Sequence, residues 1–232
     1  MEISPGIEII NTALWLRKEK NLIINDLHLG YEEALRRRGI FVPKLQLRMI
    51  LNQLQIILEK VHPAKIIING DLKHEFGTMS MPEWREVLKL LDVLQQRCPV
   101  VIIKGNHDPI VEPLADKRGV AVVNQLELKD ILIVHGDVLV ETKAKRLIIG
   151  HEHPAITLRD GSKREKYKCF LKGKWKGKEI IAVPSFNPLL EGTDVLKEEV
   201  LSPFLENIQN FEVYIVSKGE VYRFGKVKDI PK

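Results

Sequence analysis

The chain has 232 residues, 44% of them hydrophobic and 29% charged, which suits a globular domain large enough for a full core. No apolar run approaches the roughly eighteen residues of a transmembrane helix. The start, MEISPGIEII, lacks the basic region and apolar stretch of a signal peptide, so the expected location is the cytoplasm, with no membrane role. Cys98 and Cys169 are the only cysteines and have no CxxC spacing; reduced, packed thiols are expected rather than a disulfide or a thiolate metal site.

The first clear strand is LIIND-LH, a short β-branched run closing in Asp26 and His28. It lacks alternation, as a strand buried on both faces does. Arg36, Arg37 and Arg38 follow closely; arginine suits bidentate phosphate recognition, so Arg37 and Arg38 are candidate substrate contacts, with a solvated helix face as the competing reading. After Pro43, Leu47, Ile50, Leu51, Leu54, Ile57 and Leu58 keep the spacing of a helix with one apolar face. His62, at that helix's end, reads as structural.

KIIINGD ends in Asp71, and His74 lies in the loop beyond, placed to touch substrate or support a ligand. Ser80 and Glu83 are spaced as a capping box, and Trp84, Val87, Leu88 and Leu91 form one face of a second helix. VVIIKGNHD ends in Asn106, His107 and Asp108. ILIVHGD ends in His135, and RLIIGHEH in His151 and His153. The early strand–helix alternation points to an α/β domain with parallel pairing in its first half. The link from His135 to Leu147 is too short for a helical crossover, so the second half is expected to be richer in β-structure. EVYIVSKGEVYRF reads as a terminal hairpin turning at Lys218-Gly219. No linker or second core is visible, and residues 1–232 read as one domain.

Charge is uneven. From Arg159 to Lys178 nine Lys/Arg face two acids, a local +7 within a total of +5. A basic hairpin over 163–178 could contact nucleic-acid phosphates, or be a solvated surface. Trp175 inside it could stack on a base or cover an edge of the core.

In open α/β sheets, ligands bind beyond the carboxyl ends of strands, where Asp26, His28, Asp71, Asn106, His135, His151 and His153 all fall. Carboxylate, amide and imidazole donors without thiolate suit Mn²⁺, Fe, Zn²⁺ or Ni²⁺. Seven donors exceed one ion's needs and suit two. Gly70, Gly105, Gly136 and Gly150 adjoin the candidate ligands and let the backbone turn there.

The five ordered elements D-x-H, G-D, G-N-H-D, H-G and G-H-x-H, between Leu22 and Pro154, resemble the calcineurin-like binuclear metallophosphoesterases. The resemblance implies a four-layer α-β-β-α sandwich of two mixed sheets flanked by helices. It implies two divalent ions, Mn²⁺ first among the options. Asp26, His28 and His153 would hold one, and Asn106, His135 and His151 the other, with Asp71 bridging. His107 would be the catalytic histidine, oriented by Asp108. The implied reaction is attack of a bridging hydroxide on phosphorus, with His107 serving the leaving oxygen. DLHLGYEEALRRRGIFVP, GDLKHEFG, GHEHPA and PSFNPLLEG are similar to the small archaeal branch related to SbcD-type repair nucleases, whose bacterial relatives accompany Lhr-type helicases and a DNA ligase. That branch implies a nuclease or phosphodiesterase acting on nucleic-acid or nucleotide diesters, and a helicase or DNA-repair partner; a homodimer is compatible with a compact single-domain enzyme. The repair nucleases carry a further domain after the core; this chain ends before one, so a processive double-strand nuclease is not expected. GDLKHEFG and GNHD also depart from the protein Ser/Thr phosphatases. A phosphomonoesterase or nucleotide pyrophosphatase remains the alternative, and a non-catalytic scaffold a third reading.

Overall fold

The computed structural model describes residues 1–76 and 80–231; Gly77, the last residue of GDLKHEFG, lies outside them. The first half builds one sheet from β1 (Glu2–Ser4), β2 (Ile7–Ile10), β3 (Ala13–Leu16), β4 (Asn21–Asn25), β5 (Lys65–Asn69), β6 (Val100–Ile103) and β7 (Ala121–Val123) in chain order. The four strands β1 to β4 form an antiparallel meander; β4, β5, β6 and β7 run parallel. The meander has no counterpart among the sequence expectations.

Helices α1 (Tyr31–Arg37), α2 (Gln46–Lys60), α3 (Met81–Gln95) and α4 (Glu112–Asp116) make the crossovers. α3 starts as its sequence dictates: Ser80 caps the Glu83 N–H and the Glu83 side chain reaches back to the Ser80 N–H. Ile50, Leu54 and Ile57 of α2, with Val87, Leu90, Leu91 and Leu94 of α3, cover one face of the sheet against Leu22, Ile24, Ile66, Ile68 and Ile102.

The second half builds the second sheet from β8 (Gln125–Leu128), β9 (Ile131–Val134), β10 (Arg146–Ile149), β11 (Pro154–Asp160), β12 (Lys163–Trp175), β13 (Lys178–Ala182), β14 (Thr193–Asp194), β15 (Glu212–Ser217) and β16 (Glu220–Lys226). Parallel pairing extends here too, since β10 lies parallel to both β9 and β13. The short link before β10 is indeed not a helix; irregular chain makes that crossover. The β15–β16 hairpin turns at Lys218-Gly219 as expected.

The sheets pack face to face. Ile7, Ile9, Leu14, Leu16, Ile23, Ile67 and Ile103 from the first meet Ile131, Ile133, Ile148, Phe170 and Ile181 from the second. The outer face of the second sheet is covered chiefly by irregular chain, with Leu196, Phe204, Leu205, Ile208 and Phe211 packed on Leu147, Ile156, Leu171 and Ile180. Strands 4, 5, 6, 9 and 10 all end at one edge of the sandwich, and the loops leaving them meet there.

Candidate metal centre

Five strand ends converge. Asp26 and His28 follow β4, Asp71 follows β5, Asn106 and His107 follow β6, His135 follows β9, and His151 and His153 follow β10. The backbone is held in an unusual state to bring them together. Asp26, His28, Asp71, His151 and His153 have φ between 43° and 63°, the left-handed region that costs side-chain-bearing residues about 1 kcal/mol or more each. Among the described residues, the other non-glycine residues of positive φ are Asn11, Lys20, Lys129, Lys176 and Lys218, all in turns between neighbouring antiparallel strands. Strain away from turns is therefore concentrated on candidate ligands. Glycine is required beside them for closeness: a Cβ on Gly70 would fall 1.9 Å from His135 Nδ1, and one on Gly105 would fall 2.3 Å from Asp71 Oδ1.

The donors form two groups that share Asp71. In the first, His28 Nε2 lies 3.2 Å from His153 Nε2 and 3.5 Å from Asp71 Oδ2, while His153 Nε2 lies 3.4 Å from Asp26 Oδ1. In the second, Asn106 Oδ1 lies 2.9 Å from His135 Nε2 and 3.1 Å from His151 Nδ1, and His135 Nε2 lies 3.5 Å from Asp71 Oδ1. Donors bound about 2.1 Å from one ion at tetrahedral or octahedral angles stand roughly 3.0–3.4 Å apart, so both groups have nearly the spacing of a coordination shell.

The charges call for cations as well. Asp26 is 0% exposed and Asp71 2%, and their ion-pair partners among the described residues are histidines rather than lysine or arginine. Burial disfavours the charged form of three nearby imidazoles: it drives His28 well below the usual histidine value, His135 to about 4, and His151 down. Burial, then the neighbouring Asp26, pushes the Asp71 carboxyl up to about 9. Two buried carboxyl groups set among imidazoles, with no lysine or arginine paired to them among the described residues, fit divalent ions well.

His107 sits at the rim of this centre. Its backbone N–H donates to Asp71 Oδ1 at 2.9 Å, and its Nε2 lies 3.9 Å from Asp71 Oδ2. Its Nδ1 hydrogen-bonds the His74 carbonyl. The expected pairing with Asp108 is not made. The Asp108 carboxylate is fully buried and accepts the backbone N–H groups of Gly105, Leu72 and Lys73 at 3.2–3.3 Å. Those three donors lie behind the site, so Asp108 ties the loop after β5 to the loop after β6. The His74 carbonyl orients the imidazole in its place.

His74 itself enters the site: its Nδ1 lies 3.4 Å from His28 Nδ1, and His28, His74 and His107 form a further trio of metal-compatible spacing. Burial, then His107, lowers the His74 ring to about 4. Arg37 and Arg38 are exposed. Arg37 Nη1 lies 3.7 Å from Glu75 Oε1, in the loop that carries His74, while Arg36 pairs with Glu33 on its own helix. His62 is exposed beyond the end of α2.

Two contributors escaped sequence reasoning. Ser185 Oγ donates to the Asp26 carbonyl at 2.7 Å and Phe186 N–H to the Asn25 carbonyl at 2.8 Å, so PSFNPLLEG braces the first ligand loop from behind. Phe76 lays its ring on His107, with centroids 3.7 Å apart. Neither residue type announces such a role from sequence.

The basic hairpin of 163–178 takes a different shape. Lys163–Trp175 is one strand, paired first with β11 and then with β13 and β15. Lys168 Nζ donates to the Ser185 and Asn187 carbonyls, Lys172 Nζ to the Ile3 carbonyl, and Lys166 Nζ to the Gly192 carbonyl. Trp175 packs on Phe204, centroids 4.8 Å apart, and covers the core edge. Lys163, Glu165, Lys166, Tyr167, Lys218 and Tyr222 line a groove along this strand, from Tyr167 opposite Ile156, roughly 10 Å along β11 from His153, to Lys163 opposite Asp160, roughly 20 Å away.

Both cysteines are free and buried, and among the described residues no helix is long and apolar enough to cross a membrane.

Several solved structures share the architecture. A nuclease MPE from Pseudomonas putida is 17% identical over 94% of both chains, with a TM-score of 0.67. A protein of unknown function from Aquifex aeolicus is 22% identical, covering 57% of this chain and 78% of its own, with a TM-score of 0.39. The phosphoesterase Yfce from E. coli is 14% identical over 90% and 93%, with a TM-score of 0.40. The first is similar in fold; the other two overlap too loosely to add to it. Comparison with curated proteins returned no match. Residues 20–217, which include every strand end that meets at the centre, match the family model of the calcineurin-like phosphoesterases, and the chain belongs to that family.

Proposed function

We propose that the protein is a two-metal-ion phosphodiesterase acting on nucleic-acid or nucleotide diesters. The observation that carries this reading is the position of Asp71, shared by two groups of buried donors with His107 at their rim. Asp26, His28, Asp71 and His153 would hold one ion, and Asp71, Asn106, His135 and His151 the other. Two divalent ions bound there would neutralise phosphoryl oxygens and activate a water for in-line attack. Mn²⁺ is the ion to supply first, with Fe, Zn²⁺ and Ni²⁺ suited to the same donors.

The chain's own residues then divide the remaining work. The His74 carbonyl accepts from His107 Nδ1–H, which fixes the tautomer and turns Nε2 toward the centre. A proton held at Nε2 is the one available to the leaving oxygen. Burial lowers the affinity of His107 for that proton, and the bond to the His74 carbonyl opposes this. Asp108, by clamping three backbone N–H groups, holds the two loops at the separation this geometry needs.

A nucleic-acid diester is preferred over a monoester because nuclease is the class of the P. putida protein of this fold, and the exposed Lys163 and Arg164 suit a polyanion. The decisive test is hydrolysis of bis-p-nitrophenyl phosphate beside p-nitrophenyl phosphate, after EDTA treatment and return of Mn²⁺. Diester turnover that needs Mn²⁺ supports the reading. Turnover of the monoester alone makes the protein a phosphomonoesterase. Neither, with two ions bound, leaves a scaffold. We place the protein in the cytoplasm, in the SbcD-related branch, and a helicase or DNA-repair partner follows from that placement. Failure to co-purify with such a helicase at moderate salt counts against the partner. Light scattering tests for a homodimer.

A further inference from the structure

Phe76 is 60% exposed, yet its ring lies 3.7 Å from the His107 ring, centroid to centroid, at a tilt of 35°. It belongs to none of the three hydrophobic clusters. The loop before it is firmly held without it. His74 N–H donates to the Leu29 carbonyl at 2.9 Å. His74 and Glu75 N–H groups both reach Glu83 Oε1, and the Lys73 ammonium reaches the Glu75 carbonyl. Phe76 thus offers an aromatic face to solvent, beside the proposed proton donor, with no share in the core. Nearby, Tyr31 meets the His74 ring edge-on at 5.0 Å, so the mouth of the centre is aromatic on this side.

We infer that the exposed face of Phe76 is a stacking subsite for the nucleobase of the leaving group. The inference rests on the phosphodiesterase reading and adds the part of the substrate that is recognised. The group whose oxygen takes a proton from His107 must lie against that imidazole. The ring packed on the imidazole is then the first protein surface beside the leaving nucleoside. Stacking is tolerant of base identity because every base has a π-face. The subsite therefore selects for the presence of a base and not for its sequence.

The test uses the full chain loaded with Mn²⁺ and two substrates: a thymidine dinucleotide, and the same diester with an abasic sugar in the leaving position. The wild type should show a KM lower by about 10-fold for the dinucleotide, the size of one base stacked on an aromatic. Phe76→Ala should abolish the ratio of the two KM values, and Phe76→Trp should restore it. A second readout does not need turnover. Fluorescence of a 2-aminopurine mononucleotide should be quenched by metal-free wild type and by Phe76→Trp, and not by Phe76→Ala. Quenching without cleavage of any diester would keep the subsite and remove the phosphodiesterase reading. Equal KM values in the wild type, or quenching unchanged in Phe76→Ala, would overturn the subsite. Faster turnover of both substrates by Phe76→Ala would also overturn it, by making Phe76 a shield over His107.

Discussion

The strand-end cluster and the basic strand β12 are both rich in polar residues, and the molecule treats them in opposite ways. The cluster gathers side chains from five strand ends, up to 127 positions apart between Asp26 and His153, and holds five of them in left-handed backbone. β12 has its charges side by side in sequence and disperses them. Residues two apart on a strand share a face, so Lys168 and Lys172 lie on the face of Phe170, which points between the sheets. The Nζ of Lys168 reaches the Ser185 carbonyl and that of Lys172 the Ile3 carbonyl. Tyr167, Cys169, Leu171 and Trp175 face the outer core. A run of like charge therefore became a set of ties, while scattered single residues became a centre.

The comparison breaks first at Asp71. Asp71→Asn removes the one carboxylate common to both donor groups, and should reduce phosphoester turnover and metal affinity by more than about 100-fold. The metal-free protein should tolerate the same change. A carboxyl raised to about 9 in the folded state binds a proton there that the unfolded chain, near 4, releases. Between those values stability falls as pH rises, and a neutral amide escapes that loss. Metal-free Asp71→Asn should thus melt at or above the wild-type temperature at pH 8, while Mn²⁺ should raise its Tm less than it raises that of the wild type. A metal-free variant that melts lower would mean that the carboxylate is satisfied by the protein alone.

His107→Ala should separate chemistry from metal binding. Loss of a positioned proton donor is worth about 10²–10⁴-fold in turnover, yet two ions per chain should remain by metal analysis, because His107 lies at the rim of the two donor groups. Loss of an ion along with activity would make His107 a ligand.

How much of this was legible follows from where the information lies. Short β-branched runs without alternation revealed the central strands, and Ser80 and Glu83 marked the start of α3 because a capping box is local. The β1–β3 meander passed unread: its strands have only three or four residues, and its turns at Asn11 and Lys20 carry no glycine at the positive-φ position. The candidate ligands were visible as types at strand ends. The contacts of Asp108 were not, because the family resemblance implied a pairing with His107 that the backbone turns away from. Contacts such as Ser185 with Asp26, 159 positions apart, have no sequence signature at all.

Lys168 sharpens the comparison from the other side. Burial lowers its amine to about 7, and a neutral amine still has two N–H donors for the Ser185 and Asn187 carbonyls. Its folded value lies below the unfolded one near 10.4. Between pH 7 and 10 the unfolded chain therefore binds the proton that the folded chain lacks, and stability rises with pH, by at most about 1.4 kcal/mol per unit. Lys168→Met should lose that increment in urea unfolding at pH 9 relative to pH 7. It should also weaken Mn²⁺ binding by about 10-fold, since the segment it holds braces Asp26. An unchanged pH slope would show Lys168 to be charged in place.

The smallest effects belong at the far end of β12. Lys163 and Arg164 are exposed at the hairpin tip, Lys163 beside Glu165, and replacing both with serine should change stability by no more than about 0.5 kcal/mol. Dinucleotide cleavage should not move, because the tip stands roughly 20 Å from His153 along β11 and a dinucleotide does not span that distance. A single strand of about 15 nucleotides can reach it. Its KM should rise in the variant, and its salt dependence should flatten by roughly one unit of slope for each phosphate that the tip no longer neutralises. If the long strand is as indifferent as the dinucleotide, then the charges of β12 act only within the protein, and the polyanion is recognised at the centre alone.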